Sequence, residues 1–239
     1  MDIFLRILIA HIITDFLIQP DKWVADKKEN TWKSKSLYLH VFLTGLMAWI
    51  FLAEWNLWYI ALGIAVSHYL IDVLKLIFCD DGVLSYTFDQ ICHIFILAIV
   101  AIYLTNSLES TFETINTLTE TKWLATIAGY LAVTTPVGYL VGKATKKWRN
   151  DLESDIEKRD SLEDAGIWIG ILERVLVLTF VLFNQLQAIG FLIAAKSILR
   201  FSDKSEYNPR KQTEYVLIGT LISFTMALFI GLMIKILAT

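Results

Sequence analysis

Residues 57–78 read LWYIALGIAVSHYLIDVLKLIF. A bilayer core about 30 Å thick asks a helix for a run of this length and character. Near its end the run carries SHYLID, which sets His68 and Asp72 four residues apart. An ionisable group within a span costs about 2.5–3.5 kcal/mol on insertion scales and normally faces a bundle interior or a cavity. The stretch therefore predicts a membrane helix and, with it, polar partners at the depth of His68.

The same kind of block recurs along the 239 residues, which are 56% hydrophobic. It appears at 3–18, 37–53, 91–105, 123–141, 166–183, 186–201 and 215–237, the first, fourth and seventh of the eight being short. Lipid-spanning strands alternate polar and apolar residues, and these blocks do not. The expected fold class is all-α: a polytopic transmembrane helical bundle of about eight spans. The first block lacks the basic start of a signal peptide and is interrupted by His11 and Asp15, so it is expected to be a retained span.

A net charge of −3 says little in such a chain, whereas the placement of basic residues says more. Lys22, Lys27, Lys28, Lys33 and Lys35 follow the first block. Lys143, Lys146, Lys147, Arg149, Lys158 and Arg159 follow the fifth, and Arg200, Lys204, Arg210 and Lys211 flank the seventh connection. The opposite side offers Lys122 and Lys235. The positive-inside rule then puts the odd connections in the cytoplasm and the N-terminus outside. The location expected is an integral membrane one. Cys79 and Cys92 are far apart in the chain and are expected to be unpaired packing residues.

All four histidines lie before residue 94. The chain divides accordingly into a four-span half, 1–105, carrying the His/Asp chemistry, and a four-span half, 106–239. The second half holds the charged connection 142–165, expected to be a solvated helix at the cytoplasmic surface.

HIITD (11–15), HYLID (68–72) and DQICH (89–93) each set an imidazole and a carboxylate four residues apart. Positions i and i+4 share a helix face. With the topology above, His11 and Asp15 fall at the inner end of the first span. His40 falls in the first turn of the second, His68 and Asp72 near the end of the third, and Asp89 and His93 at the start of the fourth. The topology rests on Lys and Arg alone, so this meeting of seven groups at one depth is separate support.

Imidazoles with carboxylates suit a divalent transition metal, namely zinc, manganese or iron. Seven groups exceed what one catalytic zinc takes, so either two ions bind or some carboxylates orient histidines. Asp89 is a ligand or a general base. The competing explanation is a set of imidazole–carboxylate hydrogen bonds that binds nothing.

The second half supplies cations. Arg174 lies deep beside Glu173, and Lys196 and Arg200 stand four apart near the inner end of the seventh span. They are candidates to hold the anionic part of a substrate. The alternatives are snorkelling of Lys196 and Arg200 and an ion pair of Arg174 with Glu173 or Asp164.

HIITDFLIQ (11–19), His40, HYLID and DQICH resemble an uncharacterised family of bacterial integral membrane proteins with the pattern HxxxDFxxQ, a second-span His, HxxID and DQxxH. GILERVL (170–176), AAKSILRF (194–201) and EYVLIGTLISF (214–224) are similar to its longer members. That family implies the bacterial inner membrane as the location and implies no activity. More distantly, the style of the motifs resembles inner-membrane metal-dependent hydrolases.

Three functions follow. The first is a metal-dependent hydrolase at the cytoplasmic membrane surface, acting on a phosphorylated lipid-like substrate. The second is an ion- or proton-coupled transporter, and the third a membrane sensor or scaffold with a structural metal. The partners expected are membrane lipids and no nucleic acid, with a homo-oligomer left open.

Overall fold

The computed structural model describes residues 2–108, 117–153, 165–202 and 209–237. Within them every regular element is helical. Residues 109–116 and the later part of the charged connection, 154–164, lie outside the described residues.

The chain divides into two compact units, Met1–Leu131 and Ala132–Leu237. The first contains α1 (Asp2–Ile12), a π-helical turn (Ile13–Ile18), α2 (Asp21–Asn30), α3 (Lys35–Leu52), α4 (Trp58–Phe78), α5 (Val83–Leu108) and the start of α6 (Thr117–Ala144). The second contains the rest of α6, α7 (Lys146–Glu153), α8 (Ala165–Leu182), α9 (Leu186–Ser202) and α10 (Pro209–Leu237).

Six helices among the described residues are long and apolar enough to cross a membrane. The count rises to seven if the bent pair Asp2–Ile18 and Asp21–Lys33 forms one broken span, while Leu186–Ile198 is a shorter apolar helix.

α4 shows why these helices suit lipid. Leu62, Val66, Leu70, Leu74 and Ile77 are each more than half exposed, while His68 and Asp72 are buried. In water that arrangement would leave a large apolar patch exposed and polar groups hidden. In a bilayer it satisfies both faces. α5 repeats it, with Leu84, Phe88, Ile91 and Phe95 outward and Asp89 and His93 inward.

In the first unit, α1 packs on α3 and α5, and α4 packs on the same two helices. Buried residues recur at helical spacing: 37, 40, 44, 48 and 52 on α3, and 61, 64, 65, 68 and 72 on α4. Each stripe is polar toward one end and apolar toward the other. Antiparallel neighbours bring like ends together. Ile7, Ala48, Leu52, Ile64, Leu97, Ala101 and Leu104 therefore form one apolar core cluster beyond the histidines.

Gly45 sets the approach of α3 to α4. A Cβ there would stand 2.9 Å from the Cβ of Ala65. Helices this close place His40 and His68 in contact, with their Nε2 atoms 2.9 Å apart.

The second unit has its own core, including Val133 and Val137 of α6, Val177, Leu178 and Val181 of α8, and Phe224 and Ala227 of α10. α8 packs on α9 and α10. Pro136 stands inside α6 and removes one backbone donor from it. The buried Arg174 guanidinium donates to the neighbouring carbonyls of Val133 and, at 2.8 Å, Thr134. Gly138 and Gly170 make room for it: a Cβ at either would lie 3.1 Å from a guanidinium nitrogen.

Replacing Gly45 by Val adds bulk where even one carbon meets Ala65. Overpacking of this kind costs about 1–3 kcal/mol. The expected result is a thermal unfolding midpoint in detergent several degrees below wild type.

A candidate metal centre in the first unit

The seven His and Asp residues singled out in the first half come together. α1 and its π turn carry His11 and Asp15, α3 carries His40, α4 carries His68 and Asp72, and α5 carries Asp89 and His93. The four histidines, Asp72 and Asp89 are buried. The expected i, i+4 pairing holds in each case: His11 Nδ1 lies 3.4 Å from Asp15 Oδ1, His68 Nε2 3.8 Å from Asp72 Oδ1, and His93 Nε2 3.5 Å from Asp89 Oδ1.

Asp15 Oδ1 is the meeting point. Besides His11, it lies 3.5 Å from Nε2 of both His40 and His68. Asp72 Oδ1 lies 3.5 Å from His93 Nε2. These separations are long for charge-assisted hydrogen bonds, which run at about 2.7–2.9 Å. They match two ligands of one tetrahedral ion: at metal–ligand distances of about 2.0–2.1 Å, donor atoms stand about 3.3–3.4 Å apart.

Asp15 Oδ1, Asp89 Oδ1 and His93 Nε2 are buried with no hydrogen-bond partner among the described residues. Buried polar atoms are rarely left so, and a bound ion is one physical cause where they are. Three sets of donors lie close enough to hold an ion: His11–Asp15–His68, His40–His68–Asp72 and Asp72–Asp89–His93. His68 and Asp72 are each shared between two sets.

Two lysines and two glutamines complete the site. Lys27 is buried, and its ammonium donates to Gln19 Oε1 at 2.6 Å and Asp72 Oδ2 at 3.0 Å. Lys75 donates to Asp89 Oδ2 at 2.7 Å, and Gln90 Nε2 donates to the same oxygen at 3.1 Å. Asp72 and Asp89 thus each give the outer oxygen to a lysine and keep the inner oxygen for the imidazoles. Such outer contacts fix the orientation of ligating carboxylates.

Sequence reasoning misses these residues as parts of the site. By sequence Lys27 is one charge of a solvated basic loop. The chain instead bends by 90° between Ile18 and Asp21, and α2 delivers that lysine to Asp72. Lys75 stands in the opening stretch, three residues past Asp72 on the same face of α4. Gln19 and Gln90 stand inside HIITDFLIQ and DQICH.

α2 is held in place by Asp26, which accepts from Ser34 Oγ at 2.5 Å, from Asn30 Nδ2 at 2.7 Å and from the Ser36 amide at 3.2 Å. Ser34 in turn caps α3 by accepting from the Leu37 amide. These hydrogen bonds, that from Ser34 foremost, hold the Asp26 carboxyl below the usual carboxylate range.

The candidate cations of the second half have partners within their own unit. Arg174 is committed to the backbone carbonyls described above, and Lys196 donates to Glu173 at 2.6 Å. The Arg200 side chain and Asp164 lie outside the described residues. Cys79 and Cys92 are free, as expected, but Cys79 is exposed and Cys92 half-buried, so neither is a fully packed core residue.

Fold and site together define a helical protein with membrane-type helices that bury a multidentate His/Asp cluster. Residues 3–119 match the model of a family described as "Protein of unknown function (DUF3307)". That segment contains α1 to α5 and all seven clustered residues. No curated protein and no solved structure matches the chain.

Because the native Asp26 pKa is depressed, its hydrogen bonds stabilise the α2–α3 junction above the ordinary aspartate pKa of about 3.9, and the contribution is lost as pH falls below it. Asp26→Asn is therefore expected to raise amide exchange at Ser36 and Leu37 at neutral pH. The difference from wild type should shrink in acid.

Proposed function

We propose that the first unit binds one or two divalent transition-metal ions and that the protein is a metal-dependent hydrolase acting at the cytoplasmic membrane surface on a phosphorylated lipid-like substrate. The observation that carries this reading is the unpartnered Asp15 Oδ1 at 3.4–3.5 Å from three imidazole nitrogens. His11, Asp15 and His68 would hold one ion, with His40 beside them at 3.5 Å from Asp15. Asp72, Asp89 and His93 would hold the second, with Asp72 and His68 lying between the two.

A metal ion in such a site lowers the pKa of bound water toward neutrality and polarises a phosphoryl oxygen. A cavity of about 10 Å³ beside His11, His68 and His93, also bordered by Thr44 and Ser67, has the room that a single water needs. The reading carries with it eight spans, which rest on the apolar blocks, an outward N-terminus, which rests on the distribution of basic residues, and a bacterial inner membrane, which rests on the family resemblance.

One observation favours hydrolysis over transport. Beyond the histidines that cavity is walled by Ile7, Ala48, Ile64 and Leu97 of the apolar cluster. An ion leaving the cluster in that direction would meet apolar side chains with no ligand to offer.

Elemental analysis of purified protein is expected to find one or two equivalents of zinc, manganese or iron, and His68→Ala is expected to lose them. Binding should weaken as pH falls through the ordinary histidine range near about 6.5, because ligating imidazoles must be unprotonated. A His68→Ala protein with full metal content would remove His68 from the site. Metal flux in proteoliposomes would replace the hydrolase with a transporter.

A further inference from the structure

We propose that Lys75 is the anion-receiving group of this centre and that the ligand it takes is a phosphate-type dianion. The inference rests on the metal-centre reading above and adds to it the charge of the phosphoryl group taken and the residue that binds it.

The first argument is access. The Lys75 side chain is 35% exposed, against 4% for Asp89, 3% for His93 and 11% for Asp72. Lys75 therefore stands at the open edge of the Asp72–Asp89–His93 set. Lys27 is 7% exposed, and two of its three N–H donors are taken by Gln19 and Asp72. Asp89 takes one donor of Lys75, which leaves two. Asp89 does not depend on Lys75 alone, because Gln90 donates to the same oxygen.

The second argument is charge. Asp15, Asp72 and Asp89 set against Lys27 and Lys75 leave one formal negative charge, with the ligating imidazoles neutral. One divalent ion turns that into one positive charge, and two ions into three. An uncompensated charge of this size cannot be held among apolar helices. Hydroxide supplies one negative charge. A dianion supplies the other two and closes the balance, whereas a carboxylate does not. A phosphate oxygen bound at the Asp89 end would leave its remaining oxygens within reach of the Lys75 ammonium, which stands one carboxylate away.

The phosphate can come free or as a lipid headgroup, and the two sources separate in one experiment. Detergent-purified full-length protein, loaded with Mn²⁺ and assayed for metal content, is titrated with inorganic phosphate and in parallel with dodecyl phosphate. Both are expected to bind the loaded protein and not the metal-free protein. Tighter binding of dodecyl phosphate identifies a headgroup site, and equal binding a site for free phosphate.

Lys75→Met, and Lys75→Gln should Met impair folding, are expected to keep the metal and lose about ten- to a hundredfold in affinity for both anions. Lys75→Arg should recover most of it. Unchanged phosphate affinity at full metal content would overturn the assignment. Loss of metal in both neutral variants would do the same, making Lys75 a support for Asp89 only. A wild-type protein that holds metal but no phosphate sinks this inference and leaves the centre standing. A wild-type protein that holds no metal sinks the centre itself, and the inference with it.

Discussion

The first unit is organised by the need to keep seven ionisable side chains away from lipid. Each would be costly alone on an apolar helix, and no single helix can shelter its own pair. The α1, α3, α4 and α5 helices solve this jointly by turning their polar ends to one level, where Asp15 Oδ1 sits among three imidazoles. Much else in the unit serves that level. Gly45 lets α3 and α4 close on it, the apolar cluster seals it from one side, and α2 covers it with Lys27.

The site is layered. Inner carboxylate oxygens face imidazole nitrogens at metal-ligand spacing, while outer oxygens face ammonium and amide donors. Asp72 and Asp89 each work in both layers at once. In the inner layer Asp15 Oδ1, Asp89 Oδ1 and His93 Nε2 have no hydrogen-bond partner among the described residues, whereas His40 and His68 bond one another and the outer oxygens are satisfied.

Much of this was legible in the sequence because two simple periodicities carry it. The i, i+4 spacing puts His11, His68 and His93 each with a carboxylate, and the alternating sense of successive helices stacks these pairs with His40. What escaped was whatever depends on a chain reversal or a distant backbone atom. Lys27 reads as a topology-setting charge until the chain bends after Ile18. Arg174 reads as an anion clamp until Pro136 is seen in α6, next to the carbonyls of Val133 and Thr134 that it fills from some forty residues away. Side-chain chemistry on a regular helix is local in sequence, whereas the partner of a broken helix is not.

The π-helical turn Ile13–Ile18 has a consequence of its own. A π turn accommodates one residue more than the α-helix around it, so the faces before and after it are out of phase by about one residue's rotation. His11 is buried before it, while Leu17, within it, is more than half exposed. The first helix therefore cannot present one continuous stripe to its neighbours. The change of phase falls beside the residue that three histidines surround, so that His11 before the turn and Asp15 within it both reach the cluster.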